Sequence, residues 1–84
     1  MRTAANTVDL RGMRADEAVL ALESFLDRAY GADEAVVYAL HGHGTGALKS
    51  AIRQWLRGGS GYVKSYEAAA KEEGGDAFTV IDIA

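Results

Sequence analysis

The run His41-Gly42-His43-Gly44-Thr45-Gly46 places two proton carriers among three alternating glycines. Histidine titrates near neutral pH and can give or take a proton. Glycine lets the backbone turn tightly and come close to a ligand. Residues of helical period follow, and a helix N-terminus presents free N–H groups and a partial positive charge to an anion. These are the parts of a phosphodiester site. A second cluster, Asp9-Leu10-Arg11-Gly12, adds a carboxylate and a permanent cation. Cleaving a phosphodiester needs an activated nucleophile, stabilisation of the developing charge and a proton for the leaving oxygen. His41 could be the base, oriented or polarised by Asp9. Arg11 or Lys49 could stabilise the charge, assisted by the N–H groups of residues 44–46, and His43 could protonate the leaving group. In a second scheme Asp9 and Glu17 hold a divalent metal, magnesium or manganese. The sequence leaves both schemes open.

Each residue also has a plainer use. Asp9 could cap a helix or pair with Arg11, and His41 could be a packed strand-end histidine. Lys49, Arg53 and Arg57, four residues apart, could form a solvated helix face instead of a contact for a polyanion. Trp55, Tyr62 and Tyr66 read as packing more than as base-stacking platforms. Other chemistries are disfavoured. Lys49 follows Leu48 where a Walker loop has glycine. The third glycine arrives one residue early for a dinucleotide fingerprint, and Ser50 lies inside a predicted helix, with no hydrolase signature around it. The absence of cysteine excludes disulfides, thiolate metal sites and cysteine nucleophiles.

Two strands and two helices must position these motifs. Thr7 to Leu10 reads as a short strand ending at Gly12. Ala15, Ala18, Leu22, Phe25, Leu26 and Ala29 predict a helix over residues 14–29, with Gly31 as its left-handed terminator. Ala35 to Leu40 is an apolar run of strand length, suited to burial on both faces. Leu48, Ala51, Ile52, Trp55 and Leu56 predict a second helix from Thr45 to Leu56. Gly58-Gly59-Ser60-Gly61 reads as a flexible connection. Tyr62 to Tyr66 and Phe78 to Ile83 read as strands, joined by an acidic loop. The order is β-α-β-α-β-β in a single domain of residues 7–84, after a solvated, flexible leader of residues 1–6. A strand–helix–strand unit makes parallel neighbours, whose C-terminal ends share one sheet edge. Both motifs therefore belong at that edge.

The net charge of −3 argues against a nucleic-acid partner until its distribution is considered. Residues 35–66 carry four basic side chains and no carboxylate, while the segments on either side are acidic. A local basic face can bind a polyanion, with modest and salt-sensitive affinity. No apolar run approaches membrane length, and the first residues lack a signal-peptide core. The expectation is a cytoplasmic protein with no membrane partner.

Val8-Asp9-Leu10-Arg11-Gly12, with His41-Gly42-His43-Gly44-Thr45-Gly46-Ala47-Leu48 and the loop Glu72-Glu73-Gly74-Gly75-Asp76, resembles the small MutS-related (Smr) domain over residues 7–83. The arginine form of the first motif is similar to that of Smr domains at the C-terminus of the second branch of bacterial MutS homologues. The resemblance implies an α/β (α+β) sandwich, two helices on a four-stranded mixed sheet, similar to the C-terminal domain of translation initiation factor three. It implies nucleic-acid binding, to DNA (branched forms included) or RNA, and nicking endonuclease activity. It also implies that the chain is a fragment of a larger protein, oligomerising through regions absent here. Carried over, the pattern puts Asp9, Arg11 and His41 at the catalytic edge. It puts Gly42, Gly44 and Gly46 in a backbone cradle with Lys49 nearby; His43 and Thr45 in the same loop, and Arg53 and Arg57 on the basic stripe, complete the expected contacts to nucleic acid. His43 stands where relatives often have lysine, and Ala77 where a glycine commonly precedes the last strand.

Overall fold

The structure, a computed structural model, describes residues 2–59 and 61–84. Met1 of the expected leader and Ser60 of the expected connection lie outside the described residues. Helix α1 (Ala15–Gly31) forms because Ala18, Leu22, Phe25, Leu26 and Ala29 recur at helical spacing, and all five are buried. Its first turn is capped by its own acids. The Glu17 carboxylate accepts the Arg14 N–H at 2.9 Å, and that of Asp16 accepts the Glu17 N–H at 2.9 Å. The helix ends later than expected. Gly31 is its last residue, and the left-handed turn falls on Asp33 (φ 61°). The Ala32 N–H closes the end by bonding the carbonyls of Arg28 and Ala29.

Helix α2 (Ala47–Arg57) begins two residues after the expected Thr45, because Gly46 takes a left-handed conformation (φ 85°). The strands are β1 (Thr7–Asp9), β2 (Val36–Leu40), β3 (Val63–Ala68) and β4 (Phe78–Ile83). They lie in the order β1-β2-β4-β3, with β1 and β2 parallel and β4 antiparallel to both neighbours. The expected two helices on a four-stranded mixed sheet are therefore present. β3 is displaced from the expected Tyr62–Tyr66 because a bulge between Val63 and Ser65 interrupts its alternation and its pairing runs on to Ala68↔Thr79.

Both helices pack on one face of the sheet. Leu22, Leu26, Ile52, Val37, Ala39 and Ile81 are fully buried there, with Leu10 at the end of β1. Each such leucine or isoleucine contributes about 1.5–3 kcal/mol. Trp55, Tyr62 and Tyr66 pack against this core, as the plainer reading of them expected. The other face carries a smaller cluster around Tyr38 and Phe78. There the Arg2 guanidinium stacks 4.1 Å above the Phe78 ring, and Thr3 and Asn6 close a turn. Among the described residues no helix is long and apolar enough to cross a membrane.

Candidate functional site

The parallel pairing Asp9↔Leu40 ends β1 and β2 at the same edge. The loops that follow lead into α1 and α2, so both helix N-termini converge there. Between them lies a cleft of about 530 Å³, lined by Arg11 to Ala15 from one loop and His41 to Leu48 from the other. The two motifs touch. Gly42 has φ 77°, and a Cβ there would meet Arg11 Cγ at 3.4 Å.

The helix starts differ in what they offer. α1 spends its own carboxylates on its N–H groups, whereas α2 has no acid in its first turn and no side-chain cap. The N–H groups of Gly44, Thr45, Leu48 and Lys49 have no protein acceptor among the described residues. Thr45 Oγ1 accepts the Ala47 N–H, at 3.3 Å. This leaves an anion cradle of open donors at a positive helix end.

Asp9 and Arg11 form an exposed two-pronged pair. Oδ1 accepts from Arg11 Nε at 3.0 Å, and Oδ2 from Nη2 at 2.8 Å. The guanidinium hydrogen bonds hold the Asp9 carboxyl below its ordinary value, and the carboxylate in turn raises that of Arg11. Asp9 is thus engaged with Arg11 and does not orient His41.

His41 is 5 % exposed and is held from two other directions. Its Nδ1 lies 3.0 Å from the Gly42 carbonyl, which can only accept, so Nδ1 carries the proton. Nε2 then accepts the Thr79 hydroxyl proton, at 2.8 Å. Thr79 Oγ1 itself accepts Arg53 Nε–H at 3.0 Å. Arg53 Nη2 reaches Asp76 Oδ1 at 3.0 Å, and the other Asp76 oxygen binds Lys49 Nζ at 2.5 Å. With Nδ1 donating and Nε2 accepting, the ring is neutral. Burial is the main cause that lowers the His41 pKa; the Gly42 carbonyl opposes it.

His43 is exposed and lines the cleft. Lys49 and Arg53 do not; with Arg57 they border a neighbouring groove. Arg57 is exposed and makes no ion pair among the described residues. Asp9 and Glu17, the pair expected to hold a divalent metal in the second scheme, each carry protein hydrogen bonds. No three His, Cys, Asp or Glu converge among the described residues.

Sequence reasoning missed Asp76 and Thr79. Nothing in the spacing of Lys49 and Arg53 points to a carboxylate more than twenty residues away. Thr79 did leave a signal, a hydroxyl at an inward position between the apolar Phe78 and Ile81.

The Smr domain family model matches residues 8–84. The chain is 49 % identical over 76 residues to Endonuclease MutS2 of Anaeromyxobacter sp., and 47 % identical over 77 residues to that of Pelotomaculum thermopropionicum. These alignments cover 90 % and 92 % of the chain but only 9 % and 10 % of the relatives, so the chain spans about a tenth of their length. The crystal structure of the Smr domain of Thermus thermophilus MutS2 superposes with a TM-score of 0.90 at 39 % identity, covering 94 % of this chain and 98 % of that one. YdaL, a stand-alone small MutS-related protein from Escherichia coli, shares the fold with a TM-score of 0.87 at 20 % identity, over 96 % of this chain and 66 % of that one.

Proposed function

The chain belongs to the Smr domain family, and from that premise we propose that it binds nucleic acid and nicks one strand by phosphodiester hydrolysis, in DNA first and in RNA as a second substrate. One observation carries this reading: Arg11, paired with Asp9 behind it, and the open N–H groups of Gly44, Thr45 and Leu48 belong to residues that line one cleft, where cation and donors together suit a phosphate. The relatives named for endonuclease activity are about ten times longer, and placing that activity in this domain is part of the proposal.

Asp9, Arg11 and His41 form the working edge. The open N–H groups hold the phosphate, and the Arg11 guanidinium stabilises charge developing on its oxygens. His43 stands free to move a proton at the rim. His41 acts as a positioning residue, fixing the loop through the Gly42 carbonyl. A reading without chemistry, a module that binds nucleic-acid structures, is favoured by the engagement of both His41 nitrogens.

Nicking of supercoiled plasmid, with and without magnesium or manganese, separates the two. The expected result is relaxed circles from the wild type, none from Asp9→Ala, and few from His41→Ala with binding largely kept. Plasmid that stays supercoiled with every variant while still being bound would establish the module. Unchanged nicking by His41→Ala would remove that residue from the edge.

A further inference from the structure

The Asp76 carboxylate holds two cations as a phosphodiester would. One oxygen takes Arg53 and the other Lys49, the fork that two non-bridging phosphate oxygens present. Arg57 continues the row one helical turn further, about 6 Å along the axis. We propose that the Lys49–Arg53–Arg57 face of α2 is a second phosphate-binding track, and that Asp76 occupies it in the free protein as an internal competitor. The inference rests on the nucleic-acid reading above and adds to it the regulation of one surface.

Two features mark Asp76 as an occupant of the track more than a strut. Arg53 is held without it, because its Nε donates to Thr79 and its Nη2 also approaches the Phe78 carbonyl at 3.4 Å. The loop is held without it too, by backbone bonds from Glu73 and Gly75 to Ala70 and from His41 and Gly42 to Ala77. Asp76 is about half exposed and sits directly after two left-handed glycines, Gly74 and Gly75, so its carboxylate has room to swing away. The same two cations keep it ionised by lowering its pKa. An incoming phosphate then exchanges one anion for another at Lys49 and Arg53. The exchange is felt in the cleft, since Arg53 bonds the hydroxyl that holds His41.

The test uses fluorescence anisotropy of a fluorescein-labelled single-stranded DNA, and of the RNA of the same sequence, across a sodium chloride series. The proteins are wild type, Asp76→Asn and Glu72→Gln, the last removing an equal charge from the same loop without freeing a cation. Asp76→Asn is expected to bind roughly threefold to tenfold tighter at low salt, with a log–log salt slope steeper by about one. Glu72→Gln should stay near wild type, and adding Lys49→Gln to Asp76→Asn should abolish the gain. Asp76→Ala repeats the measurement should the asparagine variant melt early. Wild-type binding with no gain over Glu72→Gln overturns the competitor alone. Failure of every variant to bind either probe overturns the nucleic-acid reading and this inference with it.

Discussion

Thr79 serves two side chains with one hydroxyl, accepting from Arg53 and donating to His41. Thr79→Val keeps the shape and removes both bonds, leaving a buried ring nitrogen and a guanidinium N–H without partners. The expected cost is about 1–3 kcal/mol, read from denaturant unfolding, and the glycine loop should exchange amide hydrogens faster. The neutral state of His41 predicts a pH dependence. Unfolded, the ring titrates near its ordinary 6.5; folded, burial lowers that value. Between the two, the unfolded chain binds the extra proton. The contribution of the neutral ring is therefore intact above the ordinary value and is lost as pH falls through the folded one. Wild-type melting temperature should fall more steeply than that of His41→Gln between about pH 7.5 and about pH 5. Parallel curves would place the ring in contact with water.

At the scale of elements, the helices were legible from their periodic apolar stripes and the inner strands from short runs rich in apolar residues. Val36–Leu40 and Phe78–Ile83 are apolar runs between glycines and acids, and α1 and α2 carry their stripes openly. Their ends were not, because ends are decided by backbone angles that composition does not encode. Gly31 stays helical while Asp33 turns left-handed, and Gly46 caps where a longer helix was expected. The convergence of the two motifs was legible from the parallel crossover, but the partners of His41, Lys49 and Arg53 were not. They come from β4 and the loop before it, and only the tertiary fold brings those near. Ala77, in that loop, stands where a glycine is common, and its carbonyl is what His41 and Gly42 bond, a role that needs no particular side chain. The bend is carried by Gly74, at φ 105°, where a Cβ would lie 2.5 Å from the Phe78 ring. Gly74→Ala should cost about 1–3 kcal/mol and weaken binding by disturbing residues 41–42, whereas Gly61→Ala, where a Cβ meets open space, should leave both near wild type.

On the scale of the whole molecule, the chain is acidic and carries a basic row on α2, so the proposed binding of a polyanion rests on few contacts. Arg57, with no ion pair among the described residues, is the simplest to count. Arg57→Gln should flatten the salt slope of binding by about one without changing stability, and an unchanged slope would take that end of α2 out of the interface. The topology has a further consequence in the making of the protein. β4 is the last element of the domain in chain order, yet it is the strand that joins β2 to β3. Until it leaves the ribosome, β3 has no neighbour, Ala77 is not there to receive the glycine loop, and Thr79 is not there to hold His41. Synthesis therefore completes the sheet and the site together, and a chain stalled before its final strand carries both loop motifs without the partners that hold them.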